Sequence, residues 1–310
     1  MQKGRAMKYV IGIDIGGTNL RIGTVDREGT LMNFERKSSA SLVSENAVQN
    51  LGKELKSYIE RYQLEGQVGA VSVGVPSIVS KDKSFIYSTP NLKGLENIDL
   101  GNLLKAYANV PVFVDRDVNY LLVNDIKTHH LDPERERTIL GFYLGTGFGN
   151  AVYINGQLHV GKNGVAGELG HIPMYGIDEA CTCGNIGCSE TRCSGRYLKH
   201  LADTCFPDTD ISDVFVKHGD DPIILEYVDT LAIPMAAEIN ILDPDYVIMA
   251  GGVMTMKDFP MERLIWAVKE RARKPFPSEN LEFVFPEHTQ DSGVIGGAYA
   301  AFDKLGKMEK

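Results

Sequence analysis

His171, Cys181, Cys183 and Cys188 fall in order along one short, glycine-rich stretch, with Glu168 and Glu190 at its two ends. Three thiols and an imidazole form the donor set of a closed tetrahedral zinc site, because Zn²⁺ takes thiolate and imidazole together. Cys181 and Cys183 stand too close in sequence to staple a fold usefully, but they make adjacent chelate arms. Gly184 and Gly187 allow the turns that return Cys188 to the same ion. A redox pair or chance clustering is the alternative reading of this spacing. With a carboxylate on either side, such a metal shapes a pocket rather than carrying out a reaction.

Glycine turns occur at Gly16-Gly17, at 145–149 and at Gly251-Gly252, each after an apolar run that reads as a strand. Bare amides at strand ends can approach an anion with no Cβ in the way. One such turn mostly just reverses the chain, whereas three together suit a triphosphate held from two sides of a cleft, with Thr18 and Thr146 adding hydroxyl donors. The sequence carries neither the P-loop nor the Rossmann fingerprint. Asp14, at the first turn, is placed to hold Mg²⁺ through water, or else simply forms the turn. Arg21 either neutralises phosphate or faces solvent. Asp117 follows the apolar run 111–114 and precedes a helix-like segment, which makes it a candidate general base, with a plain N-cap as the other reading. Glu168, Glu190, Asn119 and Asn91 supply the fixed acceptors that a polyol pocket needs. His171 would bind zinc through one ring nitrogen and leave the other for the ligand.

The elements that must position these groups follow a repeated grammar. Residues 9–15, 20–25 and a run from Thr30 read as a β-meander, Ser44 can cap a helix carrying Val48, Leu51, Leu55, Ile59 and Tyr62, and 68–75 is the next strand. Strand 139–144, the second glycine turn and strand 151–154 then repeat the opening, and Asn155-Gly156 signals a type I′ hairpin into 157–160. This pattern predicts an internally duplicated fold. A helix from Pro222 to about Leu242, kinked at Pro234, precedes strand 245–249, helix 259–273, strand 281–285 and a last helix, 293–302, rich in small residues fit for close packing.

At 310 residues, 43% hydrophobic and 24% charged, the chain reads as two ordinary globular domains. A net charge of −9 argues against a general binder of nucleic acid or anionic membrane. Of the five cysteines, Cys193 and Cys205 lie outside the cluster and read as small core residues, not a secreted disulfide framework. The first apolar run is broken at Asp14, too early for a signal sequence, and no stretch is apolar enough to span a membrane, so a cytoplasmic protein is expected.

Together these residues resemble the ROK family of bacterial sugar kinases and sugar-responsive repressors, over nearly the whole chain. Asp14-Ile15-Gly16-Gly17-Thr18-Asn19-Leu20-Arg21 resembles the family's first phosphate motif. Glu168-Leu169-Gly170-His171 with Cys181, Cys183, Cys188 and Glu190 resembles its zinc and sugar motif. Ala250-Gly251-Gly252-Val253 resembles its adenosine motif, with alanine where glycine is common. The resemblance implies a duplicated α/β fold of the actin-like, ribonuclease H-like ATPase type. Its two domains, 1–117 with 293–310 and 118–292 with the zinc site, flank a cleft that closes on sugar and ATP. It implies Asp117 as the general base, and a structural Zn²⁺ on His171, Cys181, Cys183 and Cys188. ATP with Mg²⁺ would be held by Asp14, Gly16, Gly17, Thr18, Asn19, Gly145, Thr146, Gly147, Gly251 and Gly252. Sugar hydroxyls would meet Glu168, His171 and Glu190, with Asn91, Asn119 and Arg116 completing the substrate set. Arg116 stands where the family usually has asparagine, which points away from glucose and N-acetylmannosamine. Residues 76–83, 88–92, 116–119 and 193–195 resemble the branch that phosphorylates D-allose.

The expected activity is therefore ATP-dependent phosphorylation of the 6-hydroxyl of an aldohexose, D-allose foremost, by a homodimer. A sugar-sensing repressor of the same family is the competing reading, and a non-catalytic sugar- or zinc-binding protein a third. Only 13 residues precede Asp14, which leaves no room for a helix-turn-helix module, and the acidic charge points the same way. Intact Asp14 and Asp117 speak against lost chemistry.

Overall fold

The computed structural model describes residues 8–308 apart from 43, 90, 91 and 93. In chain order the first half contains β1 (Tyr9–Ile15), β2 (Asn19–Val25), β3 (Leu31–Ser38), α1 (Ala47–Arg61), β4 (Val68–Val75), the short pair β5 (Ile78–Val79) and β6 (Ile86–Ser88), α2 (Leu100–Ala108), β7 (Val112–Arg116) and α3 (Asp117–Thr128). The second half contains β8 (Thr138–Leu144), β9 (Phe148–Ile154), β10 (Gln157–Leu158), α4 (Gly195–Cys205), α5 (Val214–His218), α6 (Pro222–Leu242), β11 (Tyr246–Ala250), α7 (Met261–Arg271), β12 (Phe283–Val284) and α8 (Ser292–Met308).

Each half builds one five-stranded sheet, and the two orders are the same: β3-β2-β1-β4-β7 and β10-β9-β8-β11-β12. In each, the first three strands form an antiparallel meander and the last two join parallel to the first. This is the duplicated actin-like arrangement that the sequence resemblance implies. Asn155 and Gly156 turn the β9–β10 hairpin with φ of 48° and 80°, as a type I′ turn demands. Helix α6 runs as one element through Pro234.

The chain divides into two compact units. One contains the residues up to His130, Val160–Ala166 and those from His288 onward; the other contains Leu131–His159 and Gly167–Glu287. The division falls after α3, not after residue 117, because α3 packs on α8, which returns to the first sheet. It also leaves the excursion Val160–Ala166 with the first unit.

Strand pleat explains what the first sheet presents on each face. Ile11, Ile13 and Ile15 of β1, with Val71, Val73 and Val75 of β4, point into a core with Leu51, Leu55 and Tyr58 of α1 and Leu104 of α2. On the opposite face stand Val10, Gly12 and Asp14, with Ala70, Ser72 and Gly74 alongside, and these small residues let α8 press close. A Cβ on Gly12 would lie 2.3 Å from the Val294 carbonyl oxygen, and one on Gly296 would lie 1.9 Å from that of Tyr120. Asp14 is thus the polar end of an otherwise small, tightly covered face. The second unit holds one core, in which Leu140, Phe142 and Leu144 of β8 meet Leu198 of α4, Leu231 and Met235 of α6 and Leu264 of α7. Among the described residues no helix is long and apolar enough to cross a membrane.

Candidate functional site

In the first unit, Asp14 is the last residue but one of β1 and Asp117 begins α3 directly after β7. Both lie at carboxyl ends of parallel strands, with β4 between them. Gly74 of that strand has no side chain to separate them: a Cβ there would sit 3.6 Å from both Asp14 Oδ1 and the Asp117 Cα. Asp14 Oδ2 accepts from Arg21 Nη1 at 2.9 Å. Burial, then repulsion from Asp117, push the Asp14 carboxyl up to about 6 against the pull of Arg21. Asp117 is half-buried and accepts from the Val118 amide at 2.8 Å. Crowding by protein atoms holds its carboxyl above the usual range, although the Val118 amide and Arg116 both favour its charged form. Such a carboxylate is a better proton acceptor than a solvated one.

The first glycine turn is closed by the Gly16 amide donating to the Asn19 carbonyl at 2.8 Å, and Gly17 and Thr18 are exposed. Asn19 is occupied locally: its Nδ2 donates to Thr18 Oγ1 and its Oδ1 accepts from Arg36 Nε. Arg116 is buried, and its Nη1 donates to the Ala166 carbonyl at 2.8 Å. Asn119 is buried too, and its amide donates to Asp115 Oδ1 at 2.7 Å, so that group is engaged within the protein. Asn91 lies outside the described residues. The sequence reading missed Lys83, whose ammonium is buried on Asp115 at 2.7 Å.

In the second unit the other two glycine turns meet. The amides of Gly195 and Arg196, opening α4, donate to the carbonyls of Gly145 and Thr146, and Val253 donates to Leu144. A Cβ on Gly195 would lie 2.4 Å from the Gly145 carbonyl and 2.9 Å from Val253, so the helix start is wedged between the two turns. Ser194 caps α4 by accepting from the Tyr197 amide. Cap and helix were not read from sequence, although Ser194 with Leu198, Leu201 and Ala202 is a legible signal. Gly252 has open space where a Cβ would be.

Glu190 reaches the second turn directly, its Oε2 accepting from the Phe148 amide at 3.0 Å. Glu168 precedes the 3₁₀ turn Leu169–His171, which packs on the turn Ser189–Thr191 through Ser189 Oγ donating to the Leu169 carbonyl. Glu168, His171 and Glu190 are thereby brought into one neighbourhood.

The four zinc-donor candidates converge: one donor atom from each lies within 4.8 Å of every other. Cys181 Sγ is 3.6 Å from His171 Nδ1, and Cys183 Sγ is 3.5 Å from Cys188 Sγ. Bonds of about 2.1–2.3 Å to a tetrahedral Zn²⁺ put donors about 3.5–3.8 Å apart, so the set fits that ion. Nδ1 faces the sulfurs while Nε2 points to Glu168, 3.7 Å away. Burial, followed by the adjacent sulfurs, pushes the Cys188 thiol up to about 12. Burial also opposes ionisation at Cys183, but the Asn185 amide and the neighbouring thiols bring that one down. Packing three thiolates this closely calls for a cation to balance them.

Comparison with known proteins identifies the family. The ROK family model matches residues 10–304. A glucokinase from Halalkalibacterium halodurans is 26% identical, with 98% of each chain covered. Among solved structures, a ROK family glucokinase from Streptomyces griseus in complex with glucose and AMPPNP superposes with a TM-score of 0.77 at 22% identity, covering 95% of this chain and 99% of that one. A ROK family transcriptional regulator, a homologue of the E. coli MLC protein, superposes with a TM-score of 0.83 at 20% identity, covering 98% of this chain and 81% of the regulator's.

Proposed function

Because the chain belongs to the ROK family, we propose that it transfers the γ-phosphoryl group of ATP to the 6-hydroxyl of an aldohexose, with D-allose as the preferred sugar. The observation that carries this reading is Asp117: the first residue of a helix, at the end of a parallel strand, its carboxyl held above the ordinary range and Asp14 beside it. A repressor that only senses sugar has no use for such a base. The glucokinase relative and the glucose- and AMPPNP-bound structure support the reaction class.

In this reading Asp117 hydrogen-bonds the attacking hydroxyl and takes its proton as the oxygen moves onto phosphorus. Asp14 holds Mg²⁺ through water, and the bound ion supplies neutralisation of the phosphate charge. The amides of Gly16, Gly17, Thr18 and Asn19, with those of Gly145, Thr146 and Gly147, orient the phosphates, while Gly251 and Gly252 leave room for the nucleoside. Glu168, Glu190 and His171 Nε2 accept from or donate to ring hydroxyls. The zinc ligands His171, Cys181, Cys183 and Cys188 fix the loop that carries those groups, and Zn²⁺ supplies rigidity and positive charge when bound. Arg116, beside the base and tied to Ala166, sets the choice among epimers, and the likeness of residues 76–83 and 193–195 to the allose-phosphorylating branch favours D-allose.

The regulator reading rests on one observation, the close superposition on a ROK transcriptional regulator. ATP-dependent ADP release with Mg²⁺, on a panel of D-allose, D-glucose, D-mannose, D-fructose and N-acetylmannosamine, separates the readings. The expected outcome is turnover with the highest kcat/KM on D-allose. Preference for another hexose overturns the allose assignment alone. Sugar binding without turnover on any of the five overturns the kinase.

A further inference from the structure

We infer that Lys83 is a positioning residue for the base, acting on Asp117 through Asp115. The inference builds on the reading of Asp117 as the base. Asp115 Oδ1 accepts three bonds: from Lys83 Nζ at 2.7 Å, from Asn119 Nδ2 at 2.7 Å and from the Arg116 amide at 2.8 Å. The last two donors lie on either side of Asp117. One carboxylate oxygen therefore ties the end of β7 to the first turn of α3 and brackets the residue between them. Asn119 fixes the helix side, Arg116 the strand side, and Lys83 supplies the charge that lets a carboxylate sit there at all.

Two features of Lys83 are unfavourable in themselves and coincide at this spot. Its ammonium and its partner are both removed from water, with side-chain exposures of 7% and 3%. A pair taken so far from water is a poor way to gain stability, since desolvation opposes the attraction. Its backbone also takes the left-handed conformation, φ 67°, which a lysine adopts seldom. That conformation is held by its own bonds: the Lys83 amide donates to the Ser80 carbonyl, and its carbonyl accepts from the Val114 amide on β7. Strain and buried charge together, aimed at the strand that ends in the base, indicate a requirement of function. Lys304 of α8 faces the same carboxylate electrostatically but lies with its ammonium 4.6 Å from the centre of the Phe113 ring, so Lys83 makes the contact.

The test is Lys83→Met, which keeps the length of the stem and removes the charge. Freed of its partner, Asp115 loosens its hold on Arg116 and Asn119. A displacement of about 1 Å at the reacting group lowers kcat on the order of 100-fold. The KM for ATP stays near wild type, because the side-chain bonds of Asp115 run to Arg116 and Asn119 and not to the glycine turns, whereas the sugar KM shifts along with those two residues. Amide hydrogen exchange gives a second readout that needs no turnover: the amides of residues 115–119 exchange faster, while those of β1 and α8 keep their protection. Lys83→Arg, which restores charge and donors, recovers part of kcat. Where Lys83→Met does not accumulate folded, Lys83→Arg is compared with wild type in the same two assays, with the same loss of kcat at constant KM for ATP expected at smaller size. A folded Lys83→Met enzyme with wild-type kcat overturns the inference, as does a loss of kcat that comes only with faster exchange throughout the first unit. Should wild type phosphorylate no sugar, the kinase reading fails by itself. The exchange of residues 115–119 in Lys83→Met then decides the Lys83 coupling: local quickening supports it and unchanged protection overturns it.

Discussion

Asp14→Asn should make the folded protein more stable at pH 8 while removing its ATP-dependent chemistry. The Asp14 carboxyl titrates at about 6 in the fold against an ordinary value of 3.8, chiefly because of burial and the nearby Asp117 carboxylate. With only 17% of the side chain exposed, solvent screens little of this effect. A carboxyl whose folded pKa lies above its unfolded one binds its proton more tightly in the folded state, so its ionisation opposes folding. The penalty is fully present above the folded pKa, shrinks as pH falls between about 6 and 4, and is gone below the unfolded value. Linkage makes it about 3 kcal/mol at pH 8 and about 1.6 kcal/mol at pH 5. Asparagine removes the charge and keeps an acceptor for Arg21, whose attraction is already contained in the folded value of about 6, so the net gain is about 3 kcal/mol at pH 8. The difference in gain between the two pH values, about 1.4 kcal/mol, isolates the ionisation of Asp14. Urea unfolding of wild type and variant at pH 8 and pH 5, followed by circular dichroism, measures it. Mg²⁺ with ATP should reverse the ranking by stabilising wild type alone. An equal gain at both pH values would refute the argument that the carboxyl is held above its ordinary range. Wild-type turnover by the variant would refute its role at the metal.

Asp117→Ala should lower kcat by about 10²–10⁴, the usual worth of a positioned base, with zinc content and circular dichroism unchanged. Near-wild-type kcat would remove Asp117 from the mechanism. Cys183→Ser should reduce bound zinc, measured by elemental analysis, and weaken sugar binding in calorimetry, since the ligand loop joins the turns bearing Glu168 and Glu190. Sugar affinity that survives zinc loss would mean the metal does not shape the pocket. Arg116→Asn should change the ratio of kcat/KM between hexose epimers, and an unaltered ratio would make its bond to Ala166 purely structural. Gly296→Ala should cost about 1–3 kcal/mol or more by overpacking, because the new methyl would meet the Tyr120 carbonyl. A wild-type melting temperature would show that α8 can shift away from α3.

What could be read from the sequence, and what could not, divides along the range of the interactions. The strands of both meanders and helix α6 were legible because each is a local apolar pattern bounded by its own turn residues, and the duplication followed from comparing two such patterns. Helix ends were less legible: Ser44 looked like the cap of α1, but the helix begins at Ala47 after Asn46, with no side-chain bond at its cap. Helix α2 went unread because it is short, though Asp99 caps it by accepting from the Asn102 amide. The division between units was placed too early because nothing local marks it; it depends on α3 packing against α8, far away in sequence. The four candidate metal donors were legible for the opposite reason: they stand close together in sequence, and the structure brings their donor atoms within 4.8 Å of one another. Lys83 illustrates the limit. In sequence it is one of three charges in Lys81-Asp82-Lys83, of which the other two are exposed. Its burial depends on a partner on β7 and on a left-handed backbone, neither of which leaves a periodic trace. Where a candidate site includes groups that violate the local rules, as Asp14 and Lys83 both do, sequence can name the candidate carboxylate but not the side chain buried against the strand that leads to it.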